Sequence, residues 1–462
     1  MLSSLDAVNG RKHPNALQSK QLKEKLPLIS IILHLVTSPV FRPRIMCDEF
    51  IRNLASLLSH VKSIETGETN IEAASADRGC ITANEFVNIS MSVLEGLSQH
   101  PVILADYSQV ILEKILPTLA DLIGSQNGDT RALSLRLFTE IASVYLSQDQ
   151  FGVGDAKVNT SLLHKTIGDN LLPQFEQILL DQDPLPAYGL KLLLALLEQN
   201  PAFIKKFEQL GLVSVIFQVL LDHQQNPLNS AMQSIAGIIN CLVSHKETNM
   251  QELYDQGLID YFTTLIFEIS AVCIEGDDRA GDSKTAVGML QMLLDTLHSI
   301  FKYVSDVVRK ALQSKKSGGE AGNKEAEDAE MLLLHNKPLT DLTTLLTQLL
   351  FHEDTDIHDL STKCLSLLVQ LFGGENKDSM SMENMDYYSK ALKKADAKKQ
   401  KVLLRIIKRL LSTERSHVDA MKQHGEMLAK TIKNLVQTGT SHADVALSSL
   451  AGEILKMTGY LK

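Results

Sequence analysis

One short string of the sequence carries the residue types of a metal site. Residues His352 to Asp359 read HEDTDIHD. The two histidines stand six positions apart, so they do not match the H-E-x-x-H spacing that places two ligands on one face of a helix. The string also falls in a turn between two apolar segments, where Asp354 or Asp356 can cap the next helix. We therefore predict helix capping here and no metal site.

A second string, Gly152-Val153-Gly154, is similar to the start of a phosphate-binding loop. Lys157 stands where a G-x-G-x-x-G motif needs its third glycine, and no strand is predicted before it. The sequence also shows no nucleophile elbow and no protein-kinase signature, neither an H-R-D loop nor D-F-G nor V-A-I-K. We predict a linker turn at Gly152, and a chain that is not an enzyme and needs no cofactor.

A basic stretch, Lys390 to Arg409, holds nine Lys and Arg residues against one Asp. Apolar residues recur through its second half with helical spacing, which predicts a repeat helix with a cationic face exposed to water. The same face could dock an acidic protein segment, such as an acidic tail or the chain's own loop Glu320–Glu330, through Lys398, Lys399 and Lys401. Because aromatic residues and glycines are not interleaved with the charges, we predict that it binds no nucleic acid.

The elements that position these groups are predicted to be helices arranged in repeats. An apolar segment, a short polar turn and a second apolar segment recur from Leu116, Leu171, Leu212, Pro338 and Met427. Between Leu116 and Leu258, clear copies begin roughly 40–55 residues apart, close to the ~40–47 of armadillo and HEAT units. No stretch alternates with period two, so no sheet is predicted. A helix pair cannot bury both apolar stripes alone, so stacking predicts an all-α, armadillo/HEAT-like helical-repeat solenoid, an α-α superhelix.

The best-formed copy has clear helical periodicity. From Leu212, apolar residues recur at i, i+3, i+4, i+7 and i+8, and from Ile235 they recur at i, i+3, i+4 and i+7. Asn240 lies off the second stripe, before Cys241-Leu242. That pattern resembles the A-x-x-x-x-N-L ending of armadillo third helices, whose Asn lies on the concave face and hydrogen-bonds an extended peptide backbone.

The resemblance and the helical spacing together define a candidate binding face. Gln233, Gly237 and Ser244 share a face with Asn240 by helical spacing. We predict that Gln233, Asn240 and Ser244 line a concave groove that holds an extended segment of another protein. Alternatively, Asn240 bonds only a neighbouring turn.

Length, composition and charge exclude several protein classes. The 462 residues are 44% apolar and 5% aromatic, without Trp, so the core is predicted to be aliphatic and helical. A formal net charge of -10 gives no general attraction to nucleic acid or anionic membranes. The first residues lack the apolar core of a signal peptide, and the apolar run Leu26 to Val36 is too short to span a bilayer. We predict a cytoplasmic protein with reduced, buried thiols at Cys241 and Cys364 and with no membrane partner.

Composition also predicts the boundaries of the repeats. We expect a flexible segment at 1–25, helical repeats at 26–312 with a polar loop at 67–80, a disordered charged loop at 313–330, and C-terminal helical repeats at 331–462. A weaker loop at 372–385 contains Ser379 and Ser381. These serines are candidates for phosphorylation, or are exposed residues that keep the loop soluble.

The repeats between Leu171 and Val304 carry a family resemblance. They read LLPQFEQILLDQDPLPAYGLKLLLALLEQNPAFIKKFEQLGLVSVIFQVLLDH and, further on, SAMQSIAGIINCLVSHKETNMQELYDQGLIDYFTTLIF. They and most of the chain resemble the C-terminal helical-repeat region of the family of the fourth Unc-51-like serine/threonine kinase, a pseudokinase family. A Fused-type kinase is the second candidate. The family has a kinase or pseudokinase domain before such repeats, so the resemblance implies a truncated isoform or a C-terminal fragment without ATP binding.

The resemblance also implies where such a chain acts. It implies roles in cytoskeletal and microtubule remodelling, cilia, and neuronal branching or migration, with a location at the cytoskeleton or the cilium and its basal body. Two function classes stay open. One is a non-catalytic scaffold that holds other proteins, among them kinases and cytoskeletal or ciliary proteins. The other is the regulatory portion of a serine/threonine kinase whose catalytic domain is absent from this chain.

Overall fold

The chain is folded almost entirely as helices in two compact units. The computed structural model describes residues 16–68, 70–72, 83–147, 158–275, 280–317, 320–438 and 445–461. The units are Met1–Asp222 and His223–Lys462. Within each unit, a helix packs against the other helix of its own repeat and against the corresponding helix of the next repeat. The all-α, armadillo/HEAT-like helical-repeat fold predicted from the sequence is confirmed.

The first unit is a series of helices joined by short turns. They are α1 (Ser19–Thr37), α2 (Arg42–Ile45), α3 (Asp48–Glu65), α4 (Ala83–Ser98), α5 (Pro101–Asp106), α6 (Ser108–Val110), α7 (Leu116–Leu122), α8 (Gly128–Leu146), α9 (Thr160–Thr166), α10 (Phe175–Leu179), α11 (Leu185–Gln199), α12 (Phe203–Gln209) and α13 (Leu212–His223). A π-helical turn, Ile111–Ile115, joins α6 to α7. Another, Ile167–Leu171, leads with the 3-10 turn Leu172–Gln174 from α9 to α10.

One row of neighbouring helices runs through the first unit. Helix α1 packs on α4, α4 on α8, and α8 on α11. Apolar residues of α8 are fully buried in this row, and the hydroxyl of buried Tyr145 donates a 2.9 Å hydrogen bond to the carbonyl of Leu104. Ion pairs also join neighbouring elements, with Arg136 bound to Glu95 of α4 and Arg131 bound to Asp181.

The second unit continues the same architecture. Its helices are α14 (Ser230–Ser244), α15 (Met250–Asp255), α16 (Leu258–Glu275), α17 (Ala280–Ser317), α18 (Glu320–Asn336), α19 (Thr343–Leu349), α20 (Thr355–Phe372), α21 (Met382–Lys394), α22 (Ala397–Thr413), α23 (Arg415–His424), α24 (Glu426–Thr438) and α25 (Val445–Met457). The 3-10 turns Lys337–Leu342 and Lys377–Met380 precede α19 and α21.

The helices of the second unit form two rows. One row contains the second helix of each repeat, in the order α14, α17, α20, α22 and α25, and each packs on the next. The other row contains α19, α21 and α24. The rows pack on each other where α19 meets α20 and α24 meets α25, and α16 packs on α17 before the second row begins. This arrangement buries the apolar stripe on the second helix of each repeat. The opposite side of each of these helices is left free to carry polar residues.

The helical periodicity found in the sequence matches the buried positions. All of the apolar residues that define the stripes of α13 and α14 are buried: Leu212, Val215, Ile216, Val219, Leu220, Ile235, Ile238, Ile239 and Leu242. Glycine permits the turn that starts α13, because Gly211 has a φ of 69°. Gly257, with a φ of 86°, plays the same part before α16.

Residues 1–15 of the segment expected to be flexible at 1–25 lie outside the described residues, and the structure places regular elements in the remainder. Residues 16–25 belong to a short strand, β1 (Ala16–Gln18), and to the start of α1. Strand β1 pairs in parallel with β2 (Asn70–Glu72), with Ala16 opposite Asn70, although no sheet was expected. Strand β2 interrupts the polar loop expected at 67–80, most of which lies outside the described residues, as do Gly152-Val153-Gly154 and Lys157. Charged helix formers such as Lys and Glu explain why α1 starts early.

The structure also corrects the disordered loop expected at 313–330. Helix α17 ends at Ser317, α18 begins at Glu320, and the two helices pack on each other inside the second unit. Ala329 and Leu332 of α18 are buried. The composition is misleading because Glu, Ala and Lys have high helix propensity, and a few buried residues are enough to hold such a helix on a neighbour.

Four of the five cysteines lie among the described residues. These four, Cys47, Cys241, Cys273 and Cys364, form no disulfide; Cys364 is fully buried as expected, whereas Cys241 is only half-buried. Among the described residues, no helix is long and apolar enough to cross a bilayer.

Candidate protein-binding surface

The candidate surface is the exposed side of the second-helix row in the second unit, named here the second-helix face. It consists of the solvent-exposed side chains of α14, α17, α20, α22 and α25. Each helix buries an apolar stripe, as α20 does with Ile357, Leu365 and Leu368. The stripe on the opposite side is polar, so the face is a hydrophilic surface laid over a continuous apolar core.

Asn240 and Ser244 of α14 lie together on this face and contact α17. The Asn240 side-chain amide donates to Asp295 at 3.4 Å, and its oxygen accepts from the Ser244 hydroxyl at 3.3 Å. The Ser244 hydroxyl also lies 3.3 Å from the hydroxyl of Ser299. Asn240 therefore bonds a neighbouring helix through long, exposed hydrogen bonds, and not a neighbouring turn. These bonds are weak enough to be exchanged for bonds to a ligand.

The other two residues expected beside Asn240 behave differently. Gln233 is half-buried, and its amide donates to the carbonyl of Leu228 at 2.9 Å. This bond holds the turn that leads into α14. Gly237 is buried. The structure thus brings Asn240 and Ser244 together at the C-terminal half of α14, with Gln233 turned back toward its start.

A groove of about 530 Å³ crosses three neighbouring helices of the face. Its lining comes from α17, α20, α22 and the residue before α22: His298, Asp359, Thr362, Lys363, Ser366, Leu367, Asp396, Lys398, Lys399 and Val402. Leu367 and Val402 are half-exposed, so the groove offers an apolar floor as well as charged walls. Such a mixed surface is suited to a peptide with both apolar and charged side chains.

The two carboxylates that line the groove are both occupied. Asp359 accepts from the Lys399 ammonium at 2.7 Å and lies 3.0 Å from Nδ1 of His358. The hydrogen bond from Lys399 is the main reason that the pKa of Asp359 is lowered. Asp396 is the N-cap of α22 and accepts from the backbone N–H of Lys399 at 2.8 Å. Neither carboxylate is therefore available to repel an incoming anion at full strength.

Several cations of this face have no carboxylate partner among the described residues. Lys363 of α20 and Lys398 of α22 line the groove without an ion pair in that part of the chain. Arg405 and Arg409 follow Lys398 along the exposed side of α22 and are likewise unpaired within the described ranges. Lys401, expected to act with Lys398 and Lys399, is half-buried and does not line the groove. The basic stretch Lys390 to Arg409, predicted as one repeat helix, is divided between the end of α21 and α22 by a turn at Ala395 and Asp396, and the lysines of α22 point in different directions.

His298 of α17 lies at the opposite wall of the groove. Burial lowers the pKa of His298, and the nearby Lys363 lowers it further. Asp295 acts in the opposite direction, and Lys302 adds to the lowering. The imidazole is therefore neutral at pH 7, and the charges around it favour an added anion.

The string His352–Asp359 has the capping role expected from the sequence. Asp354 is the N-cap of α20, and its carboxylate accepts from the backbone N–H groups of Asp356 at 2.9 Å and Ile357 at 3.1 Å. No cluster of His, Cys, Asp and Glu in the described part of the chain could hold a metal ion.

The serines of the 372–385 segment are less exposed than expected. Ser379 is buried, with 1% of its surface exposed, so it is not accessible in the folded chain. Ser381 is the N-cap of α21, and its hydroxyl accepts from the backbone N–H of Asn384 at 3.2 Å. The interpretation of these residues as exposed serines of a polar loop is corrected. A phosphate on Ser381 would occupy a helix N-terminus, where negative charge is favoured.

The chain's own residues Glu320–Glu330, considered as an acidic occupant of the basic helix, are part of α18. That helix packs along α17. Its position is fixed by burial of Ala329 and Leu332. The segment therefore does not act as a free acidic tail.

Some groove residues were not predicted from the sequence. They are polar residues of α17 and α20, with Lys363 exposed and His298 and Ser366 half-buried. The polar side of each helix is visible in the periodicity, but the packing of α17 on α20 and α20 on α22 is not. The sequence signal that could have found them is the set of polar positions, opposite the apolar stripe, that recurs in the second helix of each repeat.

Comparisons with a family model and with known proteins both find similarity to ULK4-like kinases. Residues 1–205 match the family described as Serine/threonine-protein kinase ULK4-like, HEAT repeats. The chain is 44% identical over 431 residues to Serine/threonine-protein kinase ULK4 of Mus musculus, across 93% of this chain and 32% of that protein. It is 26% identical over 219 residues to Serine/threonine-protein kinase RUNKEL of Arabidopsis thaliana, across 46% of this chain and 15% of that protein. The chain thus spans about a third or less of these relatives.

Among solved structures, the chain is similar to a designed armadillo repeat protein in complex with the peptide (KR)4. The two are 14% identical, with a TM-score of 0.40, across 68% of this chain and 99% of that chain. The resemblance to the helical-repeat region of the fourth Unc-51-like kinase, inferred from the repeat sequences, is confirmed by the family and ULK4 matches.

Proposed function

We infer that this chain, a relative of the HEAT-repeat region of ULK4-like kinases, is a protein-interaction scaffold whose second-helix face binds extended segments of other proteins. The observation that carries this proposal is the row α14, α17, α20, α22 and α25. These five neighbouring helices present a polar surface with a groove of about 530 Å³. Stacked repeats commonly use such extended surfaces for binding.

The chemistry of the face suits an extended backbone. A strand-like segment has unpaired N–H and C=O groups, and side-chain amides and hydroxyls can bond both kinds. Asn240 and Ser244 supply an amide and a hydroxyl on the exposed side of α14. We propose that they contact the backbone of a bound segment, while the groove between α17 and α22 receives its side chains.

The roles that the resemblance implies are part of this proposal. We propose that the scaffold serves cytoskeletal and microtubule remodelling, cilia, and neuronal branching or migration, in the cytoplasm, at the cytoskeleton, or at the cilium and its basal body. Kinases and cytoskeletal or ciliary proteins are the proposed partners. A second candidate is a regulatory portion of a serine/threonine kinase, which the similarity to the serine/threonine-protein kinases ULK4 and RUNKEL favours.

Selection from a peptide library displayed on phage tests the scaffold proposal. The full chain is the bait, and selected peptides are then measured against Asn240→Ala and against Asn226→Ala. Asn226 is exposed in the turn before α14, and its side chain has no hydrogen bond within the described residues. The proposal expects selected peptides that lose affinity with Asn240→Ala and keep it with Asn226→Ala. Failure to select any peptide, or selected peptides that ignore every change on the second-helix face, would overturn it.

The second candidate needs a different measurement. If the chain itself took part in phosphoryl transfer, magnesium-ATP would bind it and raise its melting temperature. We predict no shift in melting temperature at micromolar ATP, because the sequence has no phosphate loop and no kinase motif. A saturable shift would favour a catalytic or nucleotide-regulated role over a scaffold.

A further inference from the structure

We propose that the groove across α17, α20 and α22 binds an acidic extended segment, whose carboxylates pair with Lys363 and Lys398 while an apolar side chain contacts Leu367 and Val402. This proposal rests on the proposed scaffold function and specifies the chemistry of the partner. It is carried by the charges of the groove and by the packing that exposes them, both within the second unit.

The charge balance of the groove favours an anion. Three lysines and two aspartates line it. Both aspartates are engaged, because Asp359 accepts from Lys399 at 2.7 Å and Asp396 caps the first turn of α22. Lys363 and Lys398 remain without a carboxylate partner among the described residues. A bound carboxylate would therefore meet two ammonium groups that are not held in an ion pair among the described residues.

The dimensions of the groove fit a short extended peptide. Three neighbouring helices at the usual axis spacing of about 8–10 Å span roughly 16–20 Å. An extended chain rises about 3.3 Å per residue, so roughly five or six residues cross the three helices. Alternate side chains of such a chain point the same way, which places acidic residues toward the lysines and apolar ones toward Leu367 and Val402.

The groove also predicts how binding responds to pH. The charged groups that act on His298 are Asp295 and Lys302 of its own helix and Lys363 of α20, and Lys398 lies on the far wall. Burial and the two lysines hold the pKa of His298 below its ordinary value. A bound carboxylate offsets the lysines and favours protonation, so affinity should rise as pH falls from about 7 toward 6.

A nucleic acid or an anionic membrane fits the same charges less well. Both are polyanions that need a broad basic surface, whereas the whole chain has a net charge of -10. Asp359 and Asp396 also lie in the groove itself, and Glu453 of α25 pairs with Lys408 farther along the face. The cationic region is therefore narrow, which suits a single peptide segment.

Fluorescence anisotropy on the full chain tests the proposal with a defined probe. The probe is a fluorescein-labelled hexapeptide of alternating Asp and Leu, and its counterpart has Asn in place of Asp. The test variant is Lys363→Glu with Lys398→Glu. The matched control is Lys430→Glu with Lys433→Glu, which makes the same change of charge on exposed residues of α24, in the other row. Far-UV circular dichroism melting checks that both variants are folded.

We expect the chain to bind the Asp probe at low salt and the Asn probe at least about 5-fold more weakly. The test variant should lower affinity for the Asp probe at least about 5-fold, with little change in the control. Binding should weaken between 50 and 300 mM salt, since exposed charges are screened over about 10 Å at 0.1 M. His298→Gln should remove the rise in affinity at acidic pH and leave binding near neutral pH.

Three outcomes would overturn the acidic-segment proposal. One is equal binding of the Asp and Asn probes, and another is equal loss in the test and control variants. The third is displacement of the probe by single-stranded DNA or phosphatidylserine vesicles at lower concentrations than by the unlabelled peptide. If library peptides bind the second-helix face but are neutral or basic, this proposal fails while the scaffold function stands. If no peptide binds the face, both fail.

Discussion

The buried contact between Asn336 and Tyr254 gives the sharpest test of the second unit. Asn336 is the last residue of α18 and is fully buried, whereas Tyr254 lies on the short helix α15. The Asn336 amide donates to the carbonyl of Leu332 at 2.8 Å and to the Tyr254 hydroxyl at 3.0 Å. That hydroxyl donates to the Asn336 side-chain oxygen at 3.2 Å. The contact joins residues 82 positions apart in sequence and holds the end of α18, the helix that begins in the segment expected to be disordered, against α15.

The structure sets the size of the effect of removing each partner. A net hydrogen bond is worth about 0.5–1.5 kcal/mol, and a buried group left without a partner costs about 1–3 kcal/mol. Asn336→Ala removes two donated bonds, so we expect a loss of about 2–4 kcal/mol in the free energy of unfolding. Tyr254→Phe removes only the hydroxyl and should cost about 1–2 kcal/mol. In the double variant the shared bonds are lost only once, so the two losses should fall short of additive by about 1 kcal/mol.

Urea unfolding followed by far-UV circular dichroism measures all three variants, with Asn226→Ala as the control. The control should stay within about 0.5 kcal/mol of the wild type, as exposed substitutions usually do. In thermal melts, Asn336→Ala should lower the melting temperature by about 4–16 °C for a unit of this size. A loss below about 0.5 kcal/mol for Asn336→Ala, or strict additivity of the pair, would show that α18 does not dock on α15.

The remaining expectations concern the core, pH and thiol reactivity. Ile239→Ala should lower the free energy of unfolding by about 2–5 kcal/mol, because it leaves a cavity in the core. Asn240→Ala should barely change stability but should lower the affinity for a peptide selected on the second-helix face about 5- to 150-fold. Equal effects of the two variants on stability would contradict the orientation of α14. Burial lowers the pKa of His164, so the unfolded chain, whose histidines titrate near about 6.5, takes up the proton first. The contribution of His164 to the free energy of unfolding is therefore present above about pH 6.5 and is lost as pH falls through the pKa of the folded state. His164→Gln should reduce the difference between the free energies of unfolding measured with urea at pH 7.5 and at pH 5.5, and an unchanged difference would refute this. Burial raises the pKa of Cys364, so alkylation mapped by mass spectrometry should modify exposed Cys47 first and Cys364 only on unfolding, and early loss of Cys364 would count against the buried position.

Much of the fold could be predicted because the apolar periodicity reports directly on burial. The stripes that start at Leu212 and Ile235 are buried as expected, since a helix that packs on one side must repeat its apolar residues every three or four positions. Turn chemistry was less certain. The start of α8 holds Asn127, Asp129 and Thr130, all of residue types that cap helices, and it is Asn127 that accepts from the backbone N–H of Asp129. Neighbouring polar residues can each cap a helix, and the chain's path through the turn decides which does.

The candidate site could be predicted only in part. The cationic face of α22 and the half-buried position of Asn240 off the apolar stripe follow from local sequence, because each depends on residues of one helix. The pairing of Lys399 with Asp359 depends on how α22 stacks on α20, forty positions apart in sequence, and no local pattern records that register. For the same reason the sequence grouped Lys398, Lys399 and Lys401, although they point in different directions.

Adjacent residues of α22 show how one repeat helix can serve both stacking and binding. Consecutive residues of an α-helix point about 100° apart, so Lys399 reaches Asp359 on α20 while Lys398 faces outward. A charge paired across two stacked helices helps to hold them together and is no longer free to attract a ligand. An unpaired charge can still attract a ligand of opposite charge. In the first unit, both Arg131 and Arg136 are paired with carboxylates of neighbouring elements. The described part of the second unit leaves Lys398 unpaired, which is why its second-helix face is the stronger candidate for recognition of an anion.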